Sequence, residues 1–224
     1  MTRRPEACRI HLVRHGETVM NVQVRFRGVL DVPLNARGRQ QALDTAQRLT
    51  GAQLAAVYSS PLGRALEVAE AIAAACALGI VRTSHLLVNL DYGEWEGLTR
   101  EECAARDPEA YELYARHPEE AWCPGGETVA SAADRAIEAL REIGRRHPGE
   151  TVAAVSHGVM LRLAVLRVLG QRDADWQFAI PMGSSLVFDV TSNEIEMVSG
   201  LDITRPDPRK GALPAVPNVA EVQR

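Results

Sequence analysis

The stretch HLVRHGETVMN, residues 11–21, joins a short apolar run to a group of polar residues. The run from Ile10 to Val13 predicts a buried strand. The strand ends at Arg14, His15 and Gly16, although arginine and histidine do not help to close a core and glycine weakens regular structure. This arrangement predicts a ligand site at the end of a buried strand.

Further apolar runs along the chain have the length and composition of strands. Together with the first run they lie at 8–13, 54–60, 151–156, 185–190 and 194–199, and the last two form a closing strand pair. A short extended piece is also predicted within 80–92.

Helical patterns fall between these runs. Helices are predicted to begin near 36, at Pro61 with Ser60 as cap, at 100 after the capping box Thr99–Glu102, near 127 and near 158. Because strands and helices alternate with short connections, the predicted class is α/β: a three-layer open, mostly parallel β-sheet with helices on both faces.

One domain is predicted over residues 1–200, and two segments differ from the rest. The segment 98–124 has polar helical pieces interrupted by Pro108, Pro118 and Pro124, and we expect it to be an excursion over the active site. Residues 201–224 are rich in proline and lack an apolar pattern, so they predict an extended or disordered C-terminal tail.

Composition excludes several classes of protein. The 224 residues are 46% hydrophobic with a net charge of -4, which allows a full core and makes nucleic acid an unfavourable partner. No apolar stretch has the length of a membrane span, and the first residues do not resemble a signal peptide. Four scattered cysteines indicate neither a zinc site nor a disulfide framework, so a reducing cytoplasm is the expected location. The oligomeric state stays open, with a homodimer as one alternative.

Three of the predicted strands end in residues suited to an anion. Arg14 and His15 follow the first strand, Arg64 lies in the helix after the second, and His157 and Gly158 follow the third. Ligands of open α/β sheets bind beyond the carboxyl ends of the strands. Helix N-termini and arginine side chains both attract phosphate. The pattern therefore predicts a phosphate pocket in which two arginines and two histidines converge.

Each of these residues also has a simpler explanation when it is taken alone. A single histidine is more often structural than catalytic, and an arginine after a strand is often only solvated. A metal site is another alternative, but HxH, HExxH and clustered DxD patterns are absent from the sequence, so neither a metal nor a cofactor is predicted. Histidines at two equivalent strand ends, each followed by glycine, favour the phosphate pocket.

Five motifs in this order resemble the histidine phosphatase superfamily, which includes the cofactor-dependent phosphoglycerate mutases. They are LVRHGETVMN, SSPLGRALEVA, GEWEGLT, PGGET and VSHGVMLR, and the resemblance covers roughly residues 8–190. RHG alone would be a weak signal, whereas the five motifs together are specific.

The resemblance implies a mechanism as well as a fold. His15 would attack phosphorus and form a phosphohistidine, while Arg14, Arg64 and His157 would hold the phosphoryl oxygens. Water would then hydrolyse the intermediate without a metal ion. Residues expected to contact the substrate are Asn21, Arg27, Gly28, Asn89 and Gly158.

One position departs from the family pattern. The family has a glutamate four residues before the first glycine of GEWEG, where it donates a proton to the leaving oxygen, and this chain has Asn89 there. An amide cannot deliver a proton. Asp91 lies two residues further on, and in an extended segment it would point to the same side. We expect Asp91 to take the acid role, alone or with Asn89 as a positioning residue, and a purely structural turn is the alternative.

The function predicted from these observations is hydrolysis of a phosphomonoester, with a small phosphorylated metabolite as the partner. A phosphoglycerate-type mutase is the first alternative, but mutases of the family have a longer segment than the 28 residues from Gly97 to Gly125. A member that binds a phosphorylated ligand without turnover is the second, supported by Asn89. The rest of the substrate is expected to contact residues 23–30 and the segment 98–124, including Tyr111, Tyr114 and Trp122.

Overall fold

Six strands form a single sheet in the computed structural model, which describes residues 4–171, 176 and 178–199. The strands are β1 (Cys8–Arg14), β2 (Ala56–Ser59), β3 (Val81–Thr83), β4 (Thr151–Ser156), β5 (Ser185–Val190) and β6 (Ile195–Ser199). Their order is β3-β2-β4-β1-β5-β6. The first four strands in this order run parallel, while β5 and β6 are antiparallel to their neighbours. The predicted α/β class with a closing strand pair is confirmed, and the predicted tail lies outside the described residues.

Seven α-helices are present in the described residues, and their starts follow local signals. They are α1 (Val19–Val22), α2 (Ala36–Leu49), α3 (Gly63–Ala75), α4 (Arg100–Arg106), α5 (Pro108–Arg116), α6 (Val129–Arg146) and α7 (Gly158–Val168). Short 3-10 turns lie at Thr50–Ala52, His85–Leu87 and Gly93–Trp95.

The predicted start of α4 is confirmed, whereas the predicted start of α3 is not. The capping box before α4 is confirmed, because the Thr99 hydroxyl accepts the Glu102 N–H and the Glu102 carboxylate accepts the Thr99 N–H. The start of α3 at Pro61 was wrong, since the helix begins at Gly63. The Ser60 hydroxyl accepts the Leu62 N–H at 3.3 Å, and so it closes a turn before the helix.

Helices cover both faces of the sheet. Alternate side chains of a strand point to opposite faces and contribute to two separate cores. Ile10 and Leu12 of β1 face a core formed largely by α4 to α7. Val13 on the opposite face packs in a second core with α2 and α3. Side chains of successive strand residues point to opposite faces, so one short strand serves both layers.

The segment 98–124 packs as part of the larger core. Cys103, Tyr111 and Tyr114 from its helices α4 and α5 are each at most 4% exposed. Each of its two helices therefore has a buried apolar side, although the sequence had indicated polar pieces. No helix of the described residues is long and apolar enough to cross a membrane.

Candidate active site

The carboxyl ends of β1, β2 and β4 lie side by side at one edge of the sheet. Arg14 pairs with Ser156 in the β1–β4 register, and β2 flanks β4 on its other side. The backbone ladder continues one residue past β1, because the His15 N–H donates to the Ser156 carbonyl at 3.1 Å. His15 and His157 consequently meet, and their ring centroids are 5.1 Å apart.

Gly16 permits a close crossing of two backbones. A Cβ atom at Gly16 would lie 2.3 Å from the carbonyl oxygen of Gly38 in α2. A Cβ atom at Gly38 would in turn lie 2.1 Å from the carbonyl oxygen of Glu17. The glycine after His15 therefore allows α2 to pack against the strand end.

His15 has a fixed tautomer. Its Nδ1 lies 2.6 Å from the carbonyl oxygen of Gly16, which can only accept, so Nδ1 carries the proton and Nε2 has the free lone pair. Burial lowers the pKa of His15 well below its ordinary value, and the charges of Arg64 and Arg14 lower it further. At neutral pH the ring is therefore uncharged, with the lone pair of Nε2 available. The whole residue is 1% exposed.

His157 faces the same space with one ring nitrogen bound and one not. Its Nε2 lies 2.9 Å from the Ser60 hydroxyl, and its Nδ1 has no partner among the described residues. Burial lowers the pKa of His157 well below its ordinary value, with the charge of Arg64 as the next cause. The Ser60 hydroxyl can donate to Nε2, which leaves an Nδ1–H to donate to a ligand oxygen. Ser60 is a partner that the sequence had indicated only as a helix cap.

The two arginines of the motifs are buried and held by backbone carbonyls. Arg14 donates to the carbonyl of Ile180, and its Nε would lie 2.9 Å from a Cβ atom at position 158, so Gly158 makes room for the guanidinium. Arg64 donates to the carbonyls of Leu30 at 2.6 Å and Gly28 at 2.8 Å, and its Nε has no acceptor among the described residues. Burial lowers the pKa of Arg64 to about 10, so it stays charged at neutral pH.

Gly28 and Asn21 shape the site through their own bonds. Gly28 has φ +50° and presents its carbonyl to Arg64 and to the Asn89 amide. It is thus a positioning residue, since it does not line the pocket among the described residues. Asn21 does line the pocket, and its Oδ1 accepts from the backbone and hydroxyl of Thr18. Its NH₂ is therefore the end that can reach a ligand.

An open pocket lies beside His157, and His15 is in ring contact with His157 but is not among the lining residues described. Its lining residues are Arg14, Asn21, Val24, Arg25, Phe26, Arg27, Asn89, Tyr92, Arg100, Tyr114, His157, Gly158, Val159 and Arg162. We call the lining residues Arg14 and His157, together with the buried His15 and Arg64, the inner end. We call Arg25, Tyr92, Arg100, Tyr114 and Arg162 the outer end.

The outer end matches the predicted substrate contacts only in part. Tyr114 lines the pocket as expected, while Tyr111 is buried and Trp122 is exposed away from it. Arg100 and Arg162 were missed as pocket residues. Arg100 had been taken only as the start of a helix, and Arg162 lies one helical turn after Gly158 in the VSHGVMLR motif, which was its one signal.

Asn89, at the position of the family's acid, and Asp91, the candidate for the acid role, lie in different surroundings. Asn89 lines the pocket, is 4% exposed and donates from Nδ2 to Gly28 at 3.2 Å. Asp91 is not among the lining residues described, and its Oδ1 accepts the Gly93 N–H at 2.8 Å. The structure thus favours the structural alternative for Asp91, and its catalytic role stays a prediction.

A second layer of contacts holds the backbone on both sides of Asn89. Arg135 of α6 donates to the carbonyls of Val88 at 2.6 Å and Asn89 at 3.1 Å. Glu127 accepts from Arg135 and from the Asp91 N–H. The PGGET motif is therefore tied to the segment that precedes GEWEG. These contacts act through the backbone, so sequence reasoning had assigned Arg135 no role.

The polar side chains of the site are guanidinium groups, imidazoles and amides. Among the described residues no group of three or more histidine, cysteine, aspartate or glutamate side chains could hold a metal ion. The four cysteines are free thiols, and Cys8, Cys103 and Cys123 are buried. Arginine guanidinium groups and imidazoles at strand ends are groups that can bind phosphoryl oxygens.

Comparisons with known proteins agree with this class of site. A model of the histidine phosphatase superfamily (branch 1) matches residues 10–202, and the chain belongs to that family. Phosphoglycerate mutase-like protein 4 of Arabidopsis thaliana is 41% identical over 155 residues, 68% of this chain and 67% of that protein. The metal-independent phosphoserine phosphatase of Arabidopsis thaliana is 39% identical over 165 residues, 73% of this chain and 69% of that protein. The structure of Bacillus stearothermophilus YhfR aligns with a TM-score of 0.78 and 34% identity, over 86% of this chain and 96% of that one.

Proposed function

We propose that the protein is a metal-independent phosphatase that removes a terminal phosphoryl group from a small phosphorylated metabolite through a phosphohistidine on His15. The observation that carries this proposal is the Nδ1 bond of His15 to Gly16, which leaves Nε2 unprotonated beside two arginines. The metal-independent phosphoserine phosphatase among the relatives supports the reaction type.

Each inner-end residue has a role in the proposed reaction. Nε2 of His15 attacks phosphorus, while Arg14, Arg64 and the Nδ1–H of His157 bind the phosphoryl oxygens. Phosphoryl transfer depends mainly on positioning and on charge stabilisation, and fixed guanidinium groups provide both. Water then hydrolyses the phosphohistidine.

Trapping the intermediate tests the proposal. The enzyme, treated with EDTA, is mixed with p-nitrophenyl phosphate and quenched without acid, and the modified residue is located by mass spectrometry. We expect phosphate on His15, inhibition by vanadate and a loss on the order of 10⁴-fold or more in His15→Ala. His117→Ala is the control, because His117 is exposed at the end of α5. A label on His157, or activity that returns only with a divalent ion, would contradict the proposal.

The mutase and binding-only alternatives give different results in the same experiment. A mutase would transfer the phosphoryl group to a second acceptor such as a phosphoglycerate faster than to water. A binding-only protein would form no phosphohistidine with any substrate, and Asn89→Glu would then be needed for turnover.

A further inference from the structure

The pocket contains more positive charge than one phosphoryl group requires. Of its fourteen lining residues among those described, none is acidic and the arginines are Arg14, Arg25, Arg27, Arg100 and Arg162. Several are fixed in place: Arg25 donates to Gly97 at 2.7 Å and to Glu102 at 3.0 Å, and Arg162 donates to Phe178 at 2.8 Å. A substrate with a second anionic group beyond the phosphoryl group fits this charge distribution.

Among the described residues that line the pocket, none is a carboxylic acid or a charged imidazole that could protonate a leaving oxygen. Asn89 stands where the acid would be, and the Asp91 carboxylate is bonded to the Gly93 turn. Burial raises the pKa of Tyr92 to about 12, and its hydroxyl lies 3.0 Å from that of Tyr114. Burial keeps both histidines uncharged at neutral pH. A leaving oxygen that receives no proton from these side chains departs as an anion.

These two features together select a substrate class. An alkoxide is too basic to leave unprotonated at a useful rate, whereas a phosphate leaving group has a second pKa of about 6 and departs as a stable anion. We infer that the substrate is a terminal phosphoanhydride, a monoester of diphosphate, whose second phosphate is bound by Arg25, Arg100 and Arg162 at the outer end. This inference rests on the proposed function and names its substrate class.

Both steps balance without a proton from the protein. First, Nε2 of His15 bonds to the terminal phosphorus, the bond from phosphorus to the bridging oxygen breaks, and its electron pair stays on the departing phosphate. Then water bonds to phosphorus, the N–P bond breaks with its electron pair returning to Nε2, and the water proton passes to a phosphoryl oxygen of the product.

Asn89 has a defined part in the second step. Its Nδ2 is bonded to Gly28, which fixes the amide, and its buried Oδ1 has no partner among the described residues. An oxygen in this position accepts a hydrogen bond from the attacking water and orients it. Amide side chains orient water in other phosphoryl-transfer enzymes in the same way.

Two substrates that each carry a second anionic group but differ in the leaving group test the inference. The kcat/KM of the EDTA-treated enzyme is measured with methyl diphosphate and with phosphoserine, whose second anion is a carboxylate and whose leaving group is an alkoxide. General acid catalysis contributes about 10²–10⁴-fold, so we expect methyl diphosphate to be favoured by about 10²-fold or more. A series of aryl phosphates should show a rate that falls steeply as the leaving group becomes more basic.

Variants connect this preference to the two features. Asn89→Glu should raise phosphoserine turnover about tenfold or more and so reduce the preference. Arg100→Gln should raise the KM for methyl diphosphate about tenfold. Arg116→Gln is the matched control, because this α5 arginine pairs with Glu112 away from the pocket.

The outcomes separate the inference from the proposed function. Equal or better turnover of phosphoserine, together with a phosphohistidine on His15, overturns the substrate class and leaves the proposed function standing. A flat aryl phosphate series likewise overturns the substrate class, even if Asn89→Glu fails to fold. If p-nitrophenyl phosphate is not hydrolysed and His15 is not labelled, both are overturned.

Discussion

The inner and outer ends of the pocket are built in different ways. Every inner-end residue lies within five positions of the carboxyl end of β1, β2 or β4, so three parallel strands of one sheet fix its position. The outer end combines side chains from the loop after α1, the segment before Gly93, and helices α4, α5 and α7. Rigid strand ends suit the common chemistry, whereas assembled helices and loops suit the part of the site that selects a substrate.

The largest expected difference between the two ends concerns arginine. Arg64→Met should lower kcat/KM for p-nitrophenyl phosphate by about 10²–10³-fold, because it removes a buried donor to the transferring group. Arg25→Gln at the outer end should lower it about tenfold or less, since this residue is partly exposed and already paired with Glu102. Steady-state kinetics measures both losses, and thermal denaturation of each variant checks folding. Equal losses would show that the two ends do not differ in this respect.

The backbone crossing under the inner end predicts a stability difference between two glycines. Gly16→Ala should lower the free energy of unfolding by about 1–3 kcal/mol, because the new Cβ meets the Gly38 carbonyl. Gly51→Ala is the control, since nothing lies within 4 Å of the place that its Cβ would take and its φ is not positive. Urea denaturation measures both. If the free energy of unfolding of Gly16→Ala equals that of the wild type, the strand end tolerates backbone movement.

The inner-end histidines predict how stability depends on pH. Their pKa values are lowered in the folded protein, so below about pH 6.5 the unfolded chain binds more protons than the folded one. The contribution of these histidines to the free energy of unfolding should therefore be fully present above that pH. It should decrease as the pH falls, by up to about 1.4 kcal/mol per pH unit for each histidine. Denaturation of the wild type and of His157→Gln between about pH 5 and 7.5 tests this. The variant should show a smaller slope, and an identical slope would remove His157 from the explanation.

The smallest effect is expected at Asp91, outside the inner end. Asp91→Asn keeps an oxygen that can accept the Gly93 N–H, so stability should change by about 0.5 kcal/mol or less and turnover by about threefold or less. The test compares phosphoserine with p-nitrophenyl phosphate in this variant. A loss of about 10²–10⁴-fold confined to phosphoserine would identify Asp91 as the general acid.

The sequence by itself determined the α/β class, the closing strand pair β5 and β6, and the residues of the inner end. The reason is that these features are local. An apolar run predicts a strand, and residues that follow parallel strands share one edge of the sheet whatever the details of packing. The motifs RHG and SHG therefore placed His15 and His157 together without knowledge of any contact.

Only the tertiary structure decided the roles of residues whose environment comes from distant segments. Asp91 turns toward Gly93 within a backbone held by Glu127, which lies 36 positions further along the chain. Arg100 and Arg162 share one pocket although they begin or lie within different helices. Hydrogen bonds and packing between such segments set the direction of a side chain, and no local pattern records them.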